Sequence, residues 1–326
     1  MPYNSLQDFL QVLQREGELK RISHPVKAEL EITEIADRVM KSAGPALLFD
    51  NVVGKNIPVL INAFGSTKRM ALALGVKDIE EIAGEITKLI QTRPPKSFKD
   101  KLQLLGELVK LAGIPPKMVK EAACQEVVFR DPDLNLLPVL TCWPGDAGPF
   151  ITLPMVFSKD PVKGTRNVGL YRMQIFDQRT TGMHWHLHKV GARHFQQQKE
   201  NKRKLELAVC LGGDPAMIYA ATAPLPPQID EILFTGFLRK KGVELVKGLT
   251  VDIEVPANSD IVIEGYVDPA EPLRREGPFG DHTGFYSLAD DYPVFHVTCI
   301  THRKNPIYPT TIVGRPPMED AYLGKA

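Results

Sequence analysis

Between residues 167 and 194 the chain reads NVGLYRMQIFDQRTTGMHWHLHKVGARH, and half of its eight histidines (His184, His186, His188 and His194) fall in the last eleven of these positions. His184, His186 and His188 are spaced by two, so on a strand they share one face. Three imidazoles converging from a sheet can build a zinc site, and an open fourth position would make it a hydrolase centre. The same alternation is also the signature of a half-buried strand with a polar outer face and with Trp185 and Leu187 turned inward. The strand before it alternates Gly169, Tyr171 and Met173 against Val168, Leu170 and Arg172, with QRTTG as the intervening turn. Asn167 and Arg172 are five positions apart and lie on opposite faces unless a bulge intervenes. A second constellation is EGPFGDHTGFY, residues 276–286. Its Glu276 and Asp281 flank a Gly-Pro-Phe-Gly turn that can bring both carboxylates to one side of a cavity. Such a pair can be held at different pKa values, one keeping a proton to donate, whereas an exposed acidic turn is the plainer alternative. Asp230 and Glu231 follow a proline-rich loop and open a helix, where the helix dipole alone would account for them.

The elements that must carry these residues divide the chain in two. Ser5 caps a helix running to Glu16, with Leu6, Phe9, Leu10 and Leu13 as its apolar stripe and Gly17 as its stop. Helical spacing recurs over 31–42, 66–75, 78–91 and 100–112, and short apolar runs at 46–49 and 57–61 read as strands. Beyond residue 120 the texture changes to strands with tight turns at 125–130, 150–158, 167–177, 183–188, 205–211, 249–255, 260–267 and 294–302, with helices at 192–203 and 229–240. This pattern predicts an α+β chain: a mixed α/β domain over 1–119, then a mostly antiparallel barrel or sandwich. The length of 326 residues fits two domains. Forty basic against 39 acidic residues leave no global electrostatic footprint for nucleic acid. No apolar run approaches the ~18 residues of a membrane span. Four scattered cysteines form no CxxC pair and fit a reducing cytoplasm.

Taken together, the ordered segments ELEITEIADRVMKSAGPALLFDNV, PVLINAFGSTKRMALALG, NVGLYRMQ, LHKVGA, DIVIEGYV, EGPFGDHTGFY and GRPPMED resemble the UbiD family of reversible decarboxylases, which bind prenylated FMN and act on aromatic or unsaturated acids. The Rossmann and P-loop glycine signatures are missing, in keeping with a flavin held another way. The resemblance implies a flavin-binding split β-barrel-like domain over 120–316, and over 317–326 the start of a linker to a C-terminal domain that is absent. It places Asn167, His188 and Glu231 at a manganese ion, a set of hard oxygens and one nitrogen that suits this metal. Potassium would sit near the loop 221–223. Cofactor contacts would come from Thr152, Asn167, Leu170, Tyr171, Arg172, His184, Trp185, His186, His188, Lys189, Val190, Thr222 and Pro224. On this reading the histidine triplet supplies one metal ligand, and His184 and His186 are flavin neighbours.

Arg172, Glu276 and Asp281 match the family's catalytic set. Loss of carbon dioxide leaves an electron pair that no side chain can hold, and the flavin is its sink. The planar fork of Arg172 would orient the substrate carboxylate. Asp281 would return the proton, with Glu276 the alternative donor. Asp281 is one methylene shorter than the glutamate of the cinnamic-acid branch, which points to hydroxylated aromatic acids such as a 4-hydroxybenzoate-type quinone precursor. The resemblance further implies a homo-oligomer, a flavin prenyltransferase as cofactor supplier, and peripheral membrane contact if the substrate is polyprenylated. Two other readings stand beside it: a partner-requiring or non-catalytic subunit of such a decarboxylase, and the zinc hydrolase of the histidine triplet.

Overall fold

A computed structural model of the chain describes residues 3–82, 84, 114–185, 189–223, 225 and 230–325. The expected helix over 100–112, positions 83 and 85–91 of the one expected over 78–91, and His186, His188 and Pro224 lie outside them.

The first helix, Leu6–Arg15, forms as its capping pattern dictates. Ser5 Oγ accepts a hydrogen bond from the Asp8 backbone N–H at 3.2 Å, and Leu6, Phe9, Leu10 and Leu13 are buried. After Gly17, whose φ of +70° suits a residue without a Cβ, the strand Leu19–Ile22 pairs in parallel with Ala46–Phe49. The helix Glu31–Lys41 makes the crossover. Val59–Ile61 adds an antiparallel strand, and Pro58 in front of it explains why the expected run from 57 starts late. The fourth strand comes from the far end of the chain: Tyr308–Pro309 pairs in parallel with Val59 and Leu60.

Two buried carboxylates lock this arrangement. Glu319, in the helix Glu319–Leu323, is fully buried and accepts the backbone N–H groups of Phe64 at 2.7 Å and Asn62 at 3.2 Å. Asp260 accepts those of Gly213 and Ile307 and the side-chain amide of Gln7 on the first helix. Burial raises both, Glu319 to about 7 and Asp260 to about 6, against hydrogen bonds and nearby arginines that pull down.

The second sheet is antiparallel with seven strands. Its path runs Thr180–Gly182, Val294–His302, Ile261–Val267, Leu205–Leu211, Met155–Lys159, Arg166–Leu170, and Val127–Phe129 adds to Val294–His302. The α+β class is as expected. The sheet is not a closed barrel, however, since this path is open at both ends among the described residues. Pro154, which lacks an N–H, divides the run expected over 150–158 into Phe150–Ile151 and Met155–Lys159. The run expected over 167–177 likewise divides into Arg166–Leu170 and Met173–Gln174 as its partner changes from Met155–Lys159 to Phe150–Ile151. Glu244–Lys247 and Glu254–Pro256 form a hairpin where a single strand over 249–255 was expected.

The largest departure concerns the histidine strand. The residues read as a turn form the strand Thr180–Gly182, and its ladder stops at the pair Gly182 and Val294. The next residue on the partner strand is Pro293, which has no N–H to continue the ladder, although its carbonyl still accepts from Met183 N–H. His184 therefore lies beyond the strand, so strand alternation does not set its direction. No helix among the described residues is long and apolar enough to cross a membrane.

Replacing Glu319 by Ala leaves the Asn62 and Phe64 N–H groups buried without partners. Each orphan of this kind costs about 1–3 kcal/mol, so the urea midpoint of the variant should fall clearly below that of the parent. An unchanged midpoint would show that Glu319 does not hold the C-terminal helix to the chain after Val59–Ile61.

Candidate active site

Arg172 follows the strand Arg166–Leu170, and its guanidinium is the hub of the site. Its Nε donates to Glu276 Oε1 at 3.0 Å and its Nη2 to Glu276 Oε2 at 3.2 Å, a two-point grip that only a planar fork can make. The Nη2 also donates to Ser287 Oγ at 3.2 Å. The remaining nitrogen, Nη1, lies 3.6 Å from Asp281 Oδ2, an ion pair too long for a hydrogen bond. Phe279 lies under the guanidinium, 4.6 Å from its carbon to the ring centroid, and holds its plane.

Glu276 is fully buried. Burial alone would raise its pKa, but hydrogen bonds from His184 and Arg172 and their charges outweigh it and hold the carboxyl below its ordinary value. The His184 contact is Nδ1 to Oε2 at 3.0 Å, and because an ionised carboxylate only accepts, Nδ1 carries the proton. The backbone N–H of His184 donates to the Arg172 carbonyl, and Tyr292 lies against its ring at 4.2 Å. Asp281 is also held low: burial raises it, while the backbone N–H and ring of His282 and the charge of Arg172 lower it by more. The loop between the two acids is fixed from outside. Gln174 Oε1 accepts from Gly277 N–H at 2.8 Å, and Asp146 accepts from Gly280 N–H at 2.7 Å and from Trp143 N–H at 2.9 Å.

A second cluster sits at the other end of the strand Arg166–Leu170. Glu231 opens the helix Glu231–Arg239, and its Oε2 accepts from the Val168 N–H at 3.0 Å, which sets the carboxylate beside Asn167. Burial raises Glu231 to about 7, more than its hydrogen bonds lower it. The Asn167 side-chain amide nitrogen and the Trp185 indole N–H are buried without hydrogen-bond partners. Two close approaches bound this region: a Cβ on Gly169 would lie 2.4 Å from the Tyr171 hydroxyl, and one on Gly191 would lie 2.7 Å from Trp185 Nε1. Tyr171 and Trp185 meet edge to face and both are buried.

The other expected contacts are distributed as follows. Leu170 N–H donates to the Ala221 carbonyl, which brings the 221–223 loop and Thr222 to the end of the strand. The Thr222 hydroxyl donates back to Tyr219 O. Thr152 spends its hydroxyl on the chain near Thr310 and Thr311. Lys189 is exposed and precedes the helix Val190–Asn201, in which Val190 is half-buried. The structure thus joins Arg172, Glu276, Asp281 and His184 directly, and ties Glu231 to the backbone N–H of the residue after Asn167. His186, His188 and Pro224 are outside the described residues. Sequence reasoning missed Ser287, Tyr292, Asp146 and Gln174, and it assigned no partner to His184. Only Gln174 stood in a quoted segment, NVGLYRMQ, and nothing in its spacing announced a backbone contact 103 residues away.

A family model described as the 3-octaprenyl-4-hydroxybenzoate carboxy-lyase Rift-related domain matches residues 117–316, and the N-terminal-domain model of the same carboxy-lyase matches residues 10–86. An uncharacterised protein of Aquifex aeolicus is 53% identical over 327 residues, covering 99% of this chain and 67% of its own length. The UbiD-class enzyme HmfF from Pelotomaculum thermopropionicum, solved in complex with prFMN, is 32% identical with a TM-score of 0.83, over 98% of this chain and 70% of that one. The closed form of vanillic acid decarboxylase from Sedimentibacter hydroxybenzoicus is 29% identical with a TM-score of 0.86, over 99% and 67%. The chain therefore spans about two thirds of the length of these relatives. With the two models matching in order and 99% of this chain aligned to the Aquifex relative at 53% identity, the chain belongs to the UbiD family.

Proposed function

We propose that the chain carries the catalytic site of a prenylated-FMN-dependent carboxy-lyase that removes carbon dioxide from an aromatic acid, with a 4-hydroxybenzoate-type acid of quinone biosynthesis as the finer assignment. One observation carries the reading: Arg172 is locked by Glu276 along one edge and holds Asp281 only loosely along the other. A guanidinium so placed is a carboxylate site whose open edge is guarded by a displaceable acid. The solved relatives support the chemistry, one holding prFMN and another being a vanillic acid decarboxylase.

The residues present fit the cofactor. Two buried donors without partners, Asn167 and Trp185, suit the oxygens of a phosphate or a flavin edge. A carboxylate at Glu231, raised by burial and by the neighbouring charge of Asp230, suits a divalent ion. Asn167 and Glu231, with His188, would hold manganese, and the 221–223 loop would hold potassium. Leu170, Tyr171, Trp185 and Thr222 would line the flavin. The prenylated flavin would supply the electron sink for the bond that breaks.

The chain's own part is binding, orientation and the proton. The substrate carboxylate takes the Nη1 edge of Arg172 and displaces Asp281. Glu276 does not move, because it is buried and doubly held. Separation of Asp281 from Arg172 and the arrival of a like charge both raise its pKa. Asp281 therefore takes up a proton as the substrate binds and returns it to the vacated carbon.

Reconstituted with prenylated FMN and manganese, the protein should release carbon dioxide from at least one hydroxylated aromatic acid; a flavin-loaded protein inert toward all of them contradicts the proposal. Arg172→Lys keeps the charge but not the two-point grip, and should lower kcat/KM about 100-fold with flavin retained. Because binding takes up a proton, affinity for the acid should weaken as pH rises, by up to about tenfold per unit between the free and bound pKa values of Asp281. Asp281→Asn should abolish both this slope and turnover. A slope that survives the substitution would assign the proton to another group.

A further inference from the structure

Decarboxylation consumes a proton at every turnover: the acid anion and one proton give the protonated ring carbon and carbon dioxide. If Asp281 delivers that proton, as proposed above, something must replace it. The carboxylate is partly shielded, with 31% of its side chain exposed, and it faces the guanidinium of Arg172. The neighbouring His282 is differently placed. Its Nδ1 lies 2.8 Å from Asp281 Oδ1, while 69% of its side chain is open to solvent. Its backbone N–H donates to the same oxygen at 2.8 Å, which fixes the carboxylate against the ring.

We propose that His282 is the proton relay of this site, carrying protons from bulk water to Asp281. The Asp281 carboxylate only accepts, so the resting ring presents Nδ1–H to it and a bare Nε2 to solvent. A proton taken from water at Nε2 makes the imidazolium. The Nδ1 proton then passes to Asp281 Oδ1, leaving a neutral carboxyl and a neutral ring protonated on Nε2. Rotation of the exposed ring, or exchange with water, restores the starting tautomer. One proton enters for each one delivered to the substrate carbon, and no other reactant is needed.

Asp320, on the helix Glu319–Leu323, interacts with both His282 and Asp281. Its Oδ1 is buried without a hydrogen-bond partner. Burial raises its pKa, and the His282 charge pulls the other way. Arg315 approaches from the same C-terminal side, with its Cβ 3.1 Å from where a Cβ on Gly284 would stand. His282 is thus held against Asp281, the acid that receives its proton, and Asp320 feels the charges of both.

Two measurements decide it. In the ligand-free protein, the NMR titration of the His282 ring should move to lower pH in Asp281→Asn, since an amide does not stabilise the imidazolium. An unmoved titration overturns the coupling, whatever reaction the protein catalyses. In the prenyl-flavin-loaded protein, His282→Asn keeps a donor toward Asp281 without a titrating proton. It should lower kcat by about 100-fold at neutral pH, the lower reach of acid–base assistance, with free imidazole in the buffer restoring the rate. Parent-like turnover in His282→Asn at every pH, or a loss that imidazole does not rescue, overturns the relay.

Discussion

The structure depends on one guanidinium that must stay planar, charged and partly unsatisfied. Arg172 is held on two nitrogens by Glu276 and beneath by Phe279, and that leaves its third nitrogen facing outward. Burying Glu276 completely is costly, and the cost is offset only because Arg172 and His184 both supply charge-assisted hydrogen bonds. The elements around the site serve that arrangement. The end of the strand Arg166–Leu170 sets Arg172, the stop imposed by Pro293 turns His184 out of its ladder, and Gln174 and Asp146 fix the loop that carries both acids.

Four carboxylates that matter to the fold and the site fall into two pairs. Asp260 and Glu319 are raised by burial and are satisfied chiefly by backbone N–H groups and an amide. They tie the first helix, the four-stranded sheet and the C-terminal helix together. Glu276 and Asp281 are lowered because cationic or hydrogen-bonding partners overcome the same desolvation. A perturbed pKa alone would not separate the locks from the site. The separation comes from Arg172, which touches both Glu276 and Asp281. Glu231 resembles the locks in direction but differs in its neighbours, since it stands beside an amide nitrogen with no partner.

Much of the fold was legible. The Ser5-capped helix, the helix Glu31–Lys41 and the strands Leu205–Leu211 and Val294–His302 follow from periodicity and capping, because local apolar spacing alone decides them. Tyr308–Pro309 was not legible as a strand, since two residues carry no period and its partner lies some 250 positions earlier. His184 falls beyond the expected strand because a proline 111 positions after Gly182 ends the ladder there. Within the site, Arg172, Glu276 and Asp281 emerged from family resemblance. Their spacing could not show that Glu276 takes two nitrogens of the guanidinium and Asp281 the third. The bond from His184 to Glu276 spans 92 residues and had no local signature.

The most direct measurement is decarboxylation in heavy water by the prenyl-flavin-loaded protein, with the ring position of the label read by NMR. A single deuterium at the carbon that lost the carboxylate, in an amount that falls with turnover in Asp281→Asn, is the predicted result. Product formed at the parent rate by Asp281→Asn, with the label still at that carbon, would contradict the role of the Arg172-gated acid.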